Sequence, residues 1–331
     1  MTAAQVTARL RDLGRAWGPG PAGQARIWPE PLRTRFPGKR RLLEAWTGEG
    51  AAFARYATAH GPLFLKYLPA GWRDSRAYRR LAREGTFLRD LAPGMPVAHA
   101  PLLALALDRT HTRAHLLTRD LTDETTGWGA LGSDRDREAA LMDIVRLLAR
   151  FHAYWAGPGQ SALTGRWAWT PGEVLSQAQE IVGKAGGGAP FSPALQSAAQ
   201  ALPALLRPAP LVTLVHGDIH SGQVLWRSDG EAVLIDYGQV HPSVPGEDLA
   251  HLLAVRLHPT ERVRLGPALR DTYREALAHA GVRLSPAELL AQERAGTALN
   301  LLSTARQAGN SSGAGIQEAL EFVVQAWSAL Q

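Results

Sequence analysis

The chain has 331 residues, enough for one large domain or for two modest ones that each bury a core. Hydrophobic residues make up 45% of it and charged residues 20%, as in ordinary soluble proteins. The absence of cysteine excludes disulfides, thiol catalysis and thiolate metal sites, and no apolar run approaches the roughly 20 residues that span a bilayer. Since nothing in the sequence directs export, we expect a cytoplasmic protein with no membrane partner.

The net charge is +6, from 36 lysines and arginines against 30 acidic residues. Most of the excess is arginine scattered along the chain, and the densest basic cluster, GKRRLL at 38–43, is short. No basic block carries interleaved aromatic residues, the pattern that indicates a nucleic-acid-binding surface. We therefore expect no nucleic-acid partner, and the sequence does not indicate an oligomeric state.

The N-terminal part is predicted to be rich in strands. Residues 1–16 have a helical pattern, and residues 74–92 form a second predicted helix with Asp74 or Ser75 as its N-cap. Extended runs bounded by glycine and proline lie between and after these helices, and the first three predict a meander. The runs are RRLLEAWTG (40–48), AAFARYAT (51–58), PLFLKYLP (62–69), APLLALALD (100–108) and AHLLTRDL (114–121).

The pattern becomes helical from about residue 134. A long amphipathic helix at 133–156 is followed by two helices within 173–207, a β island at 211–238 and a helical region from 246 to the end. The sequence therefore predicts an α+β fold. Its parts are a small β-rich N-terminal lobe, residues 1–120, and a larger, mainly helical C-terminal lobe, residues 121–331, with an embedded β-hairpin.

The segment VHGDIHSGQVL (215–225) enters this hairpin and carries most of the candidate chemistry. A two-residue Asp229-Gly230 turn would set Gln223 opposite Asp236, with Asp218 in the loop just before that pair. Carboxylate and amide oxygens suit a hard cation such as Mg²⁺, and Asp218 could orient a substrate hydroxyl and accept its proton. This division of roles is what phosphoryl transfer requires.

HGDIHSGQ (216–223), followed by LIDYG (234–238), resembles the aminoglycoside phosphotransferase and choline kinase superfamily of small-molecule kinases. That signature reads H-G-D-x-H-x-x-N with a downstream I-D-[WFY]. Further segments resemble the family in the same order, over about residues 40–260: LFLKYLP, REGTFLRDL, AHLLTRDL, LLARFHAYW and GEDLAHLL. The resemblance implies a protein-kinase-like bilobal fold and transfer of phosphate from ATP, with Mg²⁺, to a hydroxyl of a small metabolite.

The resemblance also implies a role for each matching residue. Asp218 would be the catalytic base in the C-terminal lobe, which would also hold the acceptor, while the N-terminal lobe would bind nucleotide. For the nucleotide, Lys66 would contact the ATP phosphates and Glu84 would hold Lys66, while Gly48 and Gly50 would form a loop over the phosphates. Thr118 and Asp120 would lie in the interlobe hinge that contacts adenine through its backbone. Gln223 and Asp236 would bind Mg²⁺, and the catalytic loop would be supported by His216, His220 and Asp248.

The departure from the family pattern is Gln223, where the signature has Asn. Glutamine keeps the amide oxygen but adds one methylene, so it can still reach a metal if the loop yields by about an ångström. The alternative is a non-catalytic nucleotide-binding pseudokinase or scaffold with the same fold. Retention of Lys66, Glu84, Asp218 and Asp236 argues against it, and the HGD loop argues against protein kinase activity.

Two residue patterns have simpler interpretations. His216 and His220 are four residues apart, but the flanking segments are extended and the acid is not next to the first histidine, so a helical zinc motif is disfavoured. Asp248 lies close to the start of a predicted helix and could be its cap.

Charge in the C-terminal region bears on the acceptor. Residues 249–331 contain seven acidic residues (261, 271, 275, 288, 293, 318 and 321) and eight arginines (256, 262, 264, 270, 274, 283, 294 and 306). A polycationic acceptor such as an aminoglycoside would favour a carboxylate-rich region. We therefore expect a neutral or anionic hydroxylated metabolite.

Overall fold

The computed structural model describes residues 28–331, apart from residues 49, 70–71, 186–190, 208–210 and 310–312. The predicted helix at residues 1–16 lies outside the described residues. No helix in the described part of the chain is long and apolar enough to cross a membrane.

An antiparallel five-stranded sheet is formed by the five extended runs predicted from sequence. Its strands are β1 (Arg40–Thr47), β2 (Ala52–Thr58), β3 (Gly61–Tyr67), β4 (Leu102–Asp108) and β5 (Arg113–Arg119). They lie side by side in the order β1-β2-β3-β5-β4. The predicted meander is therefore present, with β1 paired to β2 and β2 paired to β3.

The two faces of this sheet carry different residues. One face packs on Trp28 and on helix α1 (Glu30–Arg35), and its buried residues are Ala52, Ala54, Tyr56, Leu63, Leu65 and Tyr67. Because side chains alternate along a strand, Phe53, Phe64 and Lys66 lie on the opposite face. Alternation in β2 and β3 thus separates a hydrophobic core from a polar and aromatic surface.

Helix α2 (Ser75–Asp90) follows the meander. It begins at the predicted cap, because the side chain of Asp74 accepts hydrogen bonds from the backbone N–H groups of Arg76 and Ala77. Its buried residues include Leu81, Glu84 and Phe87. A buried glutamate requires a charged or hydrogen-bonding partner, so Glu84 is expected to be paired with another side chain.

The second half of the chain is mainly helical, as predicted, and the α+β class is confirmed. Its helices are α3 (Asp134–Ala156), α4 (Pro171–Ala185), α5 (Ser192–Leu205), α6 (Gly246–Ala250), α7 (Pro259–His279), α8 (Pro286–Ala308) and α9 (Ala314–Ala329), with a π-helix at His251–Arg256. Short strands β6 (Thr125–Gly127), β7 (Thr213–Val215), β8 (Val224–Arg227), β9 (Ala232–Leu234) and β10 (His241–Ser243) form the sheets β10-β7 and β6-β8-β9. Short 3₁₀ turns lie at Ala92–Gly94, Trp128–Ala130, Gln160–Ala162, Gly165–Trp167, Ser221–Gln223 and Tyr237–Gln239.

The chain forms two compact units, each built from several segments. The first comprises the described part of Met1–Pro93 together with Ala98–Thr126 and Trp226–Gln239. The second comprises Gly94–Val97, Gly127–Leu225 and Val240–Gln331. The LIDYG segment therefore belongs to the first unit and the HGDIHSGQ segment to the second. The lobe boundary after residue 120 stays a prediction.

The hairpin of β8 and β9 differs from the predicted one. Gly230 N donates to Arg227 O at 2.9 Å, and Arg227 N donates to Glu231 O at 2.9 Å. Gly230 has a φ of +85°, so the loop has three residues and ends on a left-handed glycine. The predicted two-residue Asp-Gly turn is wrong, and with it the count that set Gln223 opposite Asp236.

Two glycines let helices α6 and α8 cross with their backbones in contact. A Cβ on Gly296 would lie 2.0 Å from Gly246 O, and a Cβ on Gly246 would lie 1.9 Å from Gln292 O. Both clashes are with backbone atoms, so no side-chain rotation can relieve them. Since α6 also carries Asp248, the glycine crossing fixes the position of a predicted site residue.

We expect Gly296→Ala to lower the free energy of unfolding by about 3 kcal/mol or more, because the two helices must separate to admit the methyl group. In thermal unfolding of the purified chain, the expected effect is a fall in melting temperature of at least about 4 °C. Gly315→Ala is the matched control. Gly315 lies in α9 with open space around its Cβ, so alanine there should leave stability unchanged or raise it slightly. Equal melting temperatures for the two variants would contradict the crossing.

Candidate active site

A largely buried lysine in the first unit contacts two carboxylates. Lys66 Nζ, on β3, donates to Glu84 Oε2 at 2.7 Å and to Asp236 Oδ1 at 2.6 Å. The Lys66 side chain is 13% exposed and that of Glu84 7%, whereas that of Asp236 is 42% exposed. Glu84 also accepts a hydrogen bond from the backbone of Tyr237. The cluster is therefore closed on the side of Glu84 and reaches solvent on the side of Asp236.

Charge in this cluster is unbalanced, since one ammonium serves two carboxylates. Burial lowers the pKa of Lys66, but attraction to Glu84 and Asp236 outweighs burial, so the pKa is raised and the ammonium stays charged. Burial, together with repulsion from Asp236, raises the pKa of Glu84 to about 7 against the opposing effect of Lys66. The raised pKa of Glu84 shows that the single ammonium does not fully neutralise both carboxylates.

The backbone of Asp236 is strained. Its φ is +63°, and among the described residues only one other non-glycine residue, Thr112, has a positive φ. This conformation costs roughly 1 kcal/mol for a residue with a Cβ, so surrounding structure must hold it. The next residue, Tyr237, is fully buried, and its ring lies 4.6 Å from that of Phe87 between centroids. Strain of this kind is concentrated at functional sites.

Aromatic side chains lie on the same face of the sheet as Lys66. Phe53 pairs with Lys66 between β2 and β3, and Phe64 lies two residues before Lys66. The Phe53 ring stacks on Trp46 with 5.3 Å between centroids and lies 5.9 Å from that of Phe64. Phe64 in turn pairs with Thr118 of β5. Together they form a partly exposed aromatic face suited to a planar base.

The remaining predicted nucleotide-binding residues are Asp120, Gly48 and Gly50, and their contacts in the structure are with the protein itself. Asp120 is buried, and its Oδ2 accepts from Arg55 Nε at 2.7 Å while its Oδ1 accepts from Thr122 N at 3.0 Å. Its carboxylate is thus engaged within the protein and braces the segment after β5. Gly48 and Gly50 flank residue 49, which lies outside the described residues, and Gly48 N donates to the backbone oxygen of residue 51 at 2.9 Å.

A fully buried aspartate in the second unit holds the backbone of the HGDIHSGQ segment. Asp248 Oδ2 accepts from the N–H of His216 at 2.6 Å, and Oδ1 accepts from that of Gly217 at 2.8 Å. His152 Nε2 lies 3.0 Å from Oδ2, and His152 Nδ1 lies 2.7 Å from the hydroxyl of Tyr273. Because a carboxylate only accepts, Nε2 of His152 donates to Asp248.

Asp248 stays ionised in this buried position. Burial raises its pKa, but the hydrogen bond and charge interaction with His152 and the N–H groups outweigh burial, so the pKa is lowered. Helix α6 has no side-chain cap, so the alternative role of Asp248 as a helix cap is not observed. Its carboxylate instead contacts α3 and the loop that carries Asp218, and His152 extends this network to Tyr273 of α7.

Asp218 is held through one of its two oxygens. Oδ1 accepts from Arg256 Nη2 at 2.7 Å and lies 3.4 Å from His251 Nε2. Oδ2 accepts no hydrogen bond from the described residues, and the side chain is 33% exposed. Burial raises the pKa of Asp218, but the guanidinium charge of Arg256 opposes burial, and the pKa is held below its usual range. Asp218 therefore presents an ionised oxygen for a hydroxyl donor.

Gln223 lies nearly buried beside His220 and fits the implied metal. Its side-chain amide lies 3.1 Å from His220 Nε2, a contact that holds the glutamine side chain against the loop. Burial and the charge of Arg256 lower the pKa of His220 to about 4, so the ring is neutral at pH 7. An amide oxygen such as that of Gln223 is a hard donor of the kind that suits Mg²⁺ when phosphate and water supply other ligands.

Arg256 and His251 were not identified from the sequence as partners of Asp218. Arg256 entered only as one of eight arginines in the C-terminal region. The two residues are five apart, a spacing that an α-helix places on different sides and that a π-helix brings together. No sequence pattern signalled the π-helix. His152 lay within the LLARFHAYW segment, but only its contact with Asp248 shows its place in the network.

The phosphotransferase enzyme family is matched by residues 47–289. This is well over half of the chain, and it includes the Lys66 cluster and the loop of Asp218. The chain belongs to this family. The predicted relationship to the aminoglycoside phosphotransferases and choline kinases is confirmed, and so is the prediction of a small-molecule phosphotransferase. No curated protein matches the chain by sequence.

Solved structures of the same kinase-like fold cover nearly the whole chain. A macrolide 2'-phosphotransferase from Brachybacterium faecium is 19% identical, with a TM-score of 0.56 over 88% of this chain and 96% of that one. A choline kinase from Streptococcus pneumoniae is 14% identical, with a TM-score of 0.57 over 87% and 94%. A choline/ethanolamine kinase family protein from Mesorhizobium loti is 14% identical, with a TM-score of 0.57 over 93% of each chain. At these identities the similarity establishes the fold and leaves the substrate open.

Proposed function

We propose that this phosphotransferase is a kinase that transfers the terminal phosphoryl group of ATP to a hydroxyl of a small molecule. The observation that carries the proposal is the Lys66 cluster, in which a largely buried ammonium is anchored by Glu84 and lies beside Asp236. A lysine on the third strand paired with a glutamate on the following helix is the arrangement with which protein kinases bind ATP phosphates. Structural neighbours named as a macrolide phosphotransferase and a choline kinase support the same reaction class.

Asp218 is the proposed base. In the proposed reaction Asp218 Oδ2 accepts the proton of the acceptor hydroxyl, whose oxygen bonds to the terminal phosphorus of ATP. The bond from that phosphorus to the bridging oxygen breaks, and its electron pair leaves with ADP. Because the transition state of phosphoryl transfer is loose, Asp218 acts mainly by orienting the hydroxyl. The hydrogen bond from Arg256 to Oδ1 fixes the carboxylate for that role.

Gln223 and Asp236 are the proposed ligands of Mg²⁺, which would neutralise charge on the transferred phosphoryl group. The contact with His220 holds the longer side chain of Gln223 in place where the family pattern has asparagine. The proposed nucleotide contacts are the aromatic face beside Thr118 for the base, the backbone near Asp120 as a hinge, and Gly48 and Gly50 over the phosphates. The charge of the C-terminal region supports a neutral or anionic acceptor.

Nucleotide binding is tested by thermal unfolding with Mg²⁺ and ATP. At about one hundred times the dissociation constant, ATP should stabilise the chain by about 2.7 kcal/mol, a rise in melting temperature of roughly 4 °C. Lys66→Met should abolish the rise. Lys184→Met is the matched control, because the Lys184 side chain is exposed and paired only with Glu180 one helical turn away. A wild-type chain that shows no rise would overturn the proposed function.

The rival function is a nucleotide-binding pseudokinase. It predicts the same rise with ATP but no formation of ADP with any acceptor. A coupled assay of ADP release across sugars, amino alcohols, hydroxy acids and aminoglycosides separates the two. Acceptor-dependent ADP release favours the kinase, and binding without release favours the rival.

A further inference from the structure

Arg256 lies beside the proposed base in a position to contact the acceptor. Its Nη2 donates to Asp218 Oδ1 at 2.7 Å, so a hydroxyl bound at Oδ2 of the same carboxylate would lie close to the guanidinium. We propose that Arg256 binds an anionic group of the acceptor, and that the enzyme phosphorylates a hydroxylated anion such as a hydroxy acid. This inference rests on the proposed function, because it concerns the substrate of Asp218.

The guanidinium is held in place by a chain of hydrogen bonds from the protein interior. Leu257 N donates to Leu252 O five residues earlier at 3.2 Å, which defines the π-helix and brings His251 and Arg256 together. Arg256 Nε lies 3.1 Å from His251 Nε2, and His251 Nδ1 lies 2.7 Å from the Oδ1 of buried Asn300. Since Asn300 Oδ1 only accepts, Nδ1 carries the proton and Nε2 accepts from Arg256. π-Helical turns occur frequently at functional sites.

Arg256 retains donors beyond those used in these contacts. Its side chain is 39% exposed, and Nη1 donates to none of the described residues. Guanidinium N–H groups are arranged in a rigid fork that matches carboxylate or phosphate oxygens in pairs. A fixed, partly exposed fork next to a catalytic carboxylate is thus a ready binding position for an anion.

The charge of the cluster favours an anion over a cation. Asp218 is the sole carboxylate among the hydrogen-bond and ion-pair partners of Arg256 and His251 in the described part of the chain. Its charge is already matched by the guanidinium, so an ammonium group brought to Oδ2 would meet Arg256 at short range. An acidic group and a hydroxyl separated by a few bonds would engage both residues at once. This is the spacing in 2-hydroxy and 3-hydroxy acids.

The direct test is calorimetric binding in the presence of Mg²⁺ and a non-hydrolysable ATP analogue. The probes are matched pairs that differ in charge: D-glycerate with glycerol, and D-gluconate with D-glucitol. We expect the wild type to bind the acid of at least one pair more tightly. Arg256→Gln should weaken binding of that acid by about 10- to 100-fold, the effect of losing a charge-assisted contact. Arg256→Lys should restore part of the affinity.

Arg283→Gln is the control. Because Arg283 is exposed, this substitution should not alter binding of the acid or of the neutral compound in any pair. Equal losses for the acid and the neutral member on Arg256→Gln would overturn the proposal and leave Arg256 as a positioning residue for Asp218. Failure of the wild type to bind any acid of the panel would also overturn it. Acceptor-dependent release of ADP by the wild type would show, in either case, that the proposed kinase function survives.

Discussion

Asp218→Asn is expected to lower turnover by a factor of about 10³ while the chain stays folded and continues to bind nucleotide. Asparagine keeps the shape of the side chain but cannot accept the hydroxyl proton, and its amide nitrogen would donate where Oδ2 accepts. The fold should persist because Asp218 lies in a loop, is one-third exposed and is bonded only through Oδ1 among the described residues.

The measurements are ADP release with the preferred acceptor and the rise in melting temperature with Mg²⁺ and ATP. Asp271→Asn is the matched control, because Asp271 is exposed on α7. Its ion-pair partner, Arg274, lies as far as 3.7 Å away, so the pair is weak. The control should retain full turnover. A rate within a few-fold of wild type for Asp218→Asn would refute Asp218 as the base.

Asp248→Asn is expected to lower both stability and turnover. The buried carboxylate accepts from two backbone N–H groups and from His152, whereas asparagine has one acceptor oxygen and would turn an N–H group towards at least one of these donors. Disrupting a buried charged network of this kind costs about 3 kcal/mol or more. Turnover should fall by about 10²-fold, because small displacements of a catalytic loop have effects of that size.

Thermal unfolding and steady-state kinetics of Asp248→Asn, beside Asp271→Asn, measure the two effects. The pKa of Asp248 is lowered in the folded chain, so its contribution to stability is complete above the unfolded value of about 4 and is lost as the pH falls through the lower folded value. The difference in stability between wild type and variant should therefore be constant from pH 5 to 8 and shrink in stronger acid. A variant as stable as wild type at pH 7 would exclude the bracing role.

Much of the fold followed from local pattern. The five strands of the first sheet, the capped helix at Asp74 and the helical second half were predicted because alternation, helical periodicity and capping residues act over a few positions. The β8-β9 hairpin shows the limit of such reasoning. The same Asp-Gly dipeptide suits a two-residue or a three-residue turn, and only the observed hydrogen bonds of Arg227 distinguish them.

By itself the sequence determined the class of fold, the family and the segments that carry chemistry, because these are properties of short runs of residues in a fixed order. Tertiary structure alone decided which side chains meet. Lys66 and Asp236 are 170 positions apart, and Arg256 follows Asp218 by 38, so no local pattern encodes either contact. The strain at Asp236, the buried network around Asp248 and the π-helix that presents Arg256 arise from packing between distant elements. The proposed choice of acceptor rests on the last of these.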